Sequence, residues 1–91
     1  MAWLGMNDDE VSAQGNVLQQ QAEAIRQLIT KVDQEVDSLK QNWQGDDSKQ
    51  FESEWTGTHR PELERAEKLL TEMKATIDRE VAQQRDTSSQ Y

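Results

Sequence analysis

Ninety-one residues with 33% hydrophobic and 5% aromatic side chains make one domain at most, and supply little with which to fill a globular core. With no cysteine and a single histidine, His59, neither disulfides nor a Cys/His zinc site can staple so small a fold, which leaves self-association or a partner chain. Ten basic against 18 acidic residues give a net charge of −8, which repels phosphate backbones and anionic lipid surfaces and argues against nucleic-acid binding.

The opening Met1-Ala2-Trp3-Leu4-Gly5-Met6 is apolar but has no basic flank, and is far too short for the apolar stretch of a secretory signal peptide. No run approaches the length of a transmembrane helix. If the chain leaves the cytoplasm, it is expected to do so without a cleaved signal.

A helix is predicted over about residues 8–42. Asn7 can cap it, Glu10 stands at the capping-box position, and Met6 and Val11 occupy the two sites of a hydrophobic staple. Asp8 and Asp9 suit the positive end of the helix dipole. Val11, Leu18, Ile25, Val32 and Leu39 recur every seven residues, interleaved with Gly15, Ala22, Ile29, Val36 and Trp43 at the same interval. That is a sustained heptad seam. Its small members, Gly15 and Ala22, are places where a facing helix can come close.

Gly45 follows two residues after Trp43 and suits the left-handed conformation that ends a helix, so a turn is expected at about 43–46. Asp47 and Gln50 then read as a fresh N-cap and its capping-box partner. So short a connection makes the helices antiparallel. A symmetric fold-back near Gln44 would set Ala22 beside Glu67 and Gly15 beside Lys74.

The second helix is predicted over about 47–85. Phe51, Trp55, Leu63, Ala66, Leu69, Leu70, Met73, Ile77 and Val81 fall within an arc of roughly 120° at 100° per residue. His59 projects into the same arc and reads as a packed or interface histidine. Pro61 interrupts the helix, since it cannot donate to the Gly57 carbonyl and clashes with it in a regular helix at a cost of about 3 kcal/mol. A bend is expected over 57–61. Residues 86–91 have no period and read as a mobile tail.

Catalysis has little to work with, because His59 is the only side chain with an ordinary pKa near neutrality and no serine is spaced as a nucleophile. The chain is therefore read as non-enzymatic, with no cofactor. In the acidic groups Asp8-Asp9-Glu10 and Glu62, Glu64, Glu67, successive residues on a helix point in different directions and no loop resembles a calcium motif, so they are read as a dipole complement and a solvated face, without a metal. Trp43 and Trp55 can both fill the hairpin end of the core, or one can be partly exposed beside the turn as an anchor for a partner.

Trp43-Gln44-Gly45 at a turn between two amphipathic helices, in a cysteine-free chain of this length, closely resembles the W-x-G family of small type VII secretion substrates, the early-secreted-antigen-like proteins. The run from Trp43 through Phe51, Trp55 and His59-Arg60-Pro61, and the opening six residues, look like the actinobacterial members. The resemblance covers nearly the whole chain. It implies an all-α antiparallel helical hairpin that dimerises into a four-helix bundle and is exported folded by the ATP-driven type VII machinery of Gram-positive bacteria. Trp43 and Gly45 carry over as the signature residues, implicated in recognition by that machinery. One element departs from the pattern: the family's tyrosine followed four positions later by an acidic residue is absent, the only tyrosine being Tyr91.

The reading is thus a secreted or envelope-associated hairpin, made in the cytoplasm, whose partner is a second copy or a paralogous hairpin, without stable membrane insertion. Its dimer or hairpin seam is expected to comprise Val11, Leu18, Ala22, Ile25, Ile29, Val32, Val36 and Leu39 with Phe51, Trp55, Leu63, Ala66, Leu70, Met73 and Ile77. The alternative is an intracellular adaptor or chaperone hairpin for a larger exported toxin. Presence in culture supernatant, rather than in lysate alone, separates the two.

Overall fold

The computed structural model describes residues 7–89, and every element in them is helical: α1 over Asp8–Asn42, α2 over Asp46–Glu54, a π-helical turn over Trp55–His59 and α3 over Arg60–Ser89. The molecule is a rod of 68 × 17 × 16 Å with a radius of gyration of 20.2 Å. A globular domain of this length would have about 12 Å. The antiparallel all-α hairpin expected from the heptads is the fold.

α1 starts where its cap signal lies. The Asn7 side chain accepts the Glu10 N–H at 3.3 Å and donates back to the Glu10 carboxylate. Met6, the other half of the expected staple with Val11, lies outside the described residues. Gly15, Ala22, Ile29 and Val36 are the buried residues of α1, one every seven positions, and form the column that faces the second helix. At Gly15 the helices come close: a Cβ there would sit 3.0 Å from Ile77 Cγ2 and 3.5 Å from Lys74 Cδ. Gly15→Leu is therefore expected to overpack the seam and cost about 1–3 kcal/mol. Gly15→Ala should be near neutral, because Ile77 can yield slightly while alanine recovers about 1 kcal/mol of helix propensity. Paired thermal melts check the contrast; a Gly15→Leu chain melting with its parent would place that column in solvent.

The turn differs in detail from its sequence reading. Trp43, extended at φ −133°, closes α1 through its N–H to the Leu39 carbonyl. Gly45 does not end that helix in the left-handed region. It opens α2 as its N-cap, at φ +131° and ψ −178°, where only glycine is comfortable. Asp47 is consequently inside the helix, and Gln50 donates to Glu54 rather than to a cap.

The expected break in the second helix takes the form of a π turn. The Arg60 N–H donates to the Trp55 carbonyl, five residues back, immediately before Pro61, the residue with no N–H to continue the ladder. The wider turn also resets the phase. The inward positions of the second helix run Ser48, Glu52, Trp55, then Arg60, Leu63, Glu67, Leu70, Lys74, Ile77 and Val81, a 4-3 alternation with one step of five. Arg60 is rotated toward α1. His59, expected to pack, is exposed.

Cross-helix pairs then lie about one turn further along α3 than a symmetric fold-back gives at Ala22: Arg26 pairs with Glu67, and Ala22 shares a groove with Thr71 and Lys74. The helix also continues past Arg85, where the period ends, to Ser89. Arg85 is anchored there by Asp8 at 3.0 Å and Asp9 at 3.2 Å, which ties the end of α3 to the start of α1.

Candidate functional site

The two flanks of the hairpin seam have opposite chemistry. Arg26, Asp33 and Lys40, each four residues after a buried position of α1, lie on one flank and reach Glu67, Arg60 and Glu52 across the groove at 2.9, 3.1 and 3.2 Å. Exposed pairs of this kind contribute little stability, about 0–1 kcal/mol each, but they fix the register. Leu18, Ile25, Val32 and Leu39, each three residues after a buried position, lie on the other flank and are only half-buried. On the second helix Phe51, Ala66, Leu69 and Met73 occupy the flank of the same rotational sense. In an antiparallel pair those two flanks face the same way. Leu28 belongs to this side as well, and on it Leu28, Phe51, Leu69 and Met73 are exposed.

The centre of the hairpin core is Trp55, 7% exposed and packed against Ile29 and Val36, with Ile25, Val32 and Leu63 around it. Its indole Nε1–H donates to Asp33 Oδ1 at 2.9 Å. Arg60 lays its guanidinium on the same carboxylate, Nε at 3.1 Å from Oδ1 and Nη2 at 3.1 Å from Oδ2, while Nη1 reaches Glu64 at 2.9 Å. The hydrogen bonds from Arg60 and then Trp55 hold the Asp33 carboxyl below its ordinary value of 3.8. A depressed folded pKa contributes stability that is present above the unfolded value and lost as the pH falls through the folded one. Carboxyl-detected NMR is expected to show Asp33 titrating below the ordinary carboxylate range, and Arg60→Gln to raise it. An ordinary value in the parent would mean the clamp is not formed in solution.

At the turn, Trp43 is 40% exposed and its ring tilts against Phe51, centroids 6.2 Å apart and planes at 52°. Gly45 beside it has open space around its Cα, so the backbone strain of a side chain there, not a clash, is what selects glycine. A notch of about 350 Å³ opens between Trp43, Gly45 and the first turn of α2.

A family model described as "WXG100: Proteins of 100 residues with WXG" matches residues 4–88. The chain belongs to this family. No curated protein and no solved structure matches it. Within the matched residues Trp43-Gln44-Gly45 lies at the turn between α1 and α2, and a second W-x-G tripeptide, Trp55-Thr56-Gly57, lies inside the second helix. As a WXG100 protein the chain is a small type VII secretion protein, of a family of secreted substrates that are commonly dimers and are not known as enzymes. Among the described residues no helix is long and apolar enough to cross a membrane, and no acidic or histidine cluster could hold a metal ion.

The expected seam residues fall into three groups. Ala22, Ile29, Val36 and Trp55 are buried; Val11, Leu18, Ile25, Val32, Leu39, Leu63, Ala66, Leu70 and Ile77 are half-buried; Phe51 and Met73 are exposed. Sequence reading missed the Asp33–Arg60 clamp and the burial of Ser48. The clamp had a visible signal, since Gln19, Arg26, Asp33 and Lys40 are a polar heptad column beside the apolar one. Ser48 had none, because its burial depends on how α2 leaves the turn.

Proposed function

We propose that this WXG100 chain is a non-enzymatic half of a four-helix bundle, exported folded with a second hairpin on its apolar face and read by the secretion machinery at the W-x-G tip. The observation that carries the reading is the asymmetry of the two flanks. One is closed by ion pairs to its own second helix, and the other exposes Leu28, Leu69 and Met73 on the same side of the rod. Contiguous apolar surface rimmed by polar residues marks a protein interface. A second hairpin would bury it and complete a core that one hairpin lacks. The partner is a copy of this chain or a paralogous hairpin, and the dimer leaves the cytoplasm folded. The likeness of residues 43–61 to actinobacterial members supports a host among those bacteria.

Trp43 is suited to the second role. It caps α1 through its backbone and leaves two-fifths of its surface open beside the turn, so its ring can be presented to a partner while its main chain holds the hairpin. The test is export of Trp43→Phe from a host carrying the matching system, with light scattering of the purified variant alongside. The Phe chain is expected to dimerise as the parent does and to reach the supernatant poorly. Normal export of a folded Trp43→Phe dimer would reduce the motif to a turn-building device. A cooperatively melting parent monomer would remove the bundle.

A further inference from the structure

The side of the rod that carries the exposed apolar residues has edges of one sign. Glu35 stands seven residues after Leu28, Glu62 seven before Leu69 and Glu80 seven after Met73, so each shares a helix face with an exposed apolar side chain. On α2, Asp47 and Glu54 lie four residues before and three after Phe51, again on its face. All of these carboxylates are exposed. None is in an ion pair among the described residues, and Glu54 accepts only from the Gln50 amide, at 3.2 Å.

The bases lie elsewhere. Arg26, Lys40, Arg60 and Arg85 are engaged on the opposite flank by Glu67, Glu52, Asp33 and Asp8. The columns of Leu28, Leu69 and Met73, followed every seven residues, contain no lysine or arginine. Lys31, Arg65 and Arg79 stand in the columns behind, turned about 50° further from the groove, where Glu10, Glu72 and Asp86 balance them. Arg79 donates there to Thr76 at 3.3 Å.

A two-fold pair of identical chains presents the same columns from both sides, so in any register these carboxylates meet carboxylates or neutral residues and never a base of the same columns. Like charges at an interface edge cost affinity and slow encounter, here between chains that each carry −8. Building on the bundle reading above, we propose that the preferred occupant of this side is a different helical hairpin, whose own apolar face is edged by lysine and arginine. A second copy is the weaker occupant. Glu35 and Glu62 each stand two residues beyond a member of the Asp33–Arg60 pair, which sets them at nearly one level of the rod, one on each helix. Bases straddling the partner's apolar face are expected to meet them at that level.

The test uses the chain itself as the probe. Glu35→Lys, Glu62→Lys and Glu80→Lys together give a copy with the same apolar residues and basic edges. Sedimentation equilibrium, with one chain carrying a fluorophore, compares parent with parent and parent with this copy at low salt and at about 1 M, where screening acts within about 3 Å. The mixed pair is expected to be about tenfold tighter than the parent pair at low salt, and to lose that advantage at high salt. Glu23→Lys, Asp37→Lys and Glu72→Lys together change the net charge equally but lie outside these columns, and should give a much smaller gain. If the basic-edged copy does not fold, Glu35→Gln, Glu62→Gln and Glu80→Gln together make the same comparison: that chain should pair with itself more tightly than the parent does at low salt, and equal self-pairing would overturn the proposal. A parent that pairs with itself as tightly as with the basic-edged copy, or an equal gain from the reversals outside the columns, would overturn it and leave the bundle standing. No association in any combination, even at high salt, would remove the bundle and this proposal with it.

Discussion

Trp55→Ala is expected to remove about 3–5 kcal/mol, enough to unfold a lone hairpin. Only five hydrophobic residues are buried among the described ones, Ala22, Ile29, Val36, Trp55 and Val81, and Trp55 is the largest of them. Alanine opens a cavity against Ile29 and Val36 and strips Asp33 of one of its two donor groups. Trp55→Phe separates those effects, since it keeps most of the packing and removes only the indole N–H. It should cost about 1 kcal/mol from the lost hydrogen bond, in addition to a small loss of volume, with Arg60 still on the carboxylate. Urea melts of the three chains measure this. If Trp55→Ala lost no more than Trp55→Phe, the core would lie elsewhere on the rod.

The π turn yields the second large effect. Its extra residue is what carries the inward column from Trp55 to Arg60 in five steps, and Pro61 is what a regular helix at that place could not accommodate. Deleting Gly57 together with Pro61→Ala should therefore convert the second helix into an uninterrupted α-helix. Trp55 and Arg60 would then stand four apart, both still facing α1. No atom lies within 4 Å of a Cβ built on Gly57, so the glycine is not there for a close contact and its loss leaves no gap. Removing a helical glycine and a helical proline should raise stability by on the order of 2 kcal/mol. Deleting Gly57 alone should instead destabilise, because Pro61 then meets a regular turn. Pro61→Ala alone should keep the π turn, since a regular helix of unchanged length would swing Arg60 off Asp33 by about 100°. A double variant that melts below its parent would show that the wide turn serves neither phase nor proline.

The helical hairpin was legible because its cause is local. Gly15, Ala22, Ile29 and Val36 recur at a period only a helix can place on one face, and Asn7 with Glu10 marks where that helix starts. The apolar column from Leu18 to Leu39 was legible on the same ground, as was the contact that needs Gly15. Gly45 was read correctly as a residue that glycine alone can fill, yet assigned to the wrong helix: two helices meet there within three residues, and periodicity does not say which one a cap serves.

By itself, then, the sequence determined two long amphipathic helices, their antiparallel order and the face α1 turns inward, along with the tripeptide at the tip. The tertiary structure alone decided what depends on the phase between the helices. Arg60 rather than His59 faces α1 because the second helix slips by one residue before Pro61, and Asp33, on the other helix, holds the new phase. The same holds for Ser48 and the notch beside Trp43, which exist only through the angle at which α2 leaves the turn. A repeat in one helix specifies directions about that helix's own axis. Where a defect interrupts it, the direction beyond is chosen by contacts across the groove, from residues far away in the chain.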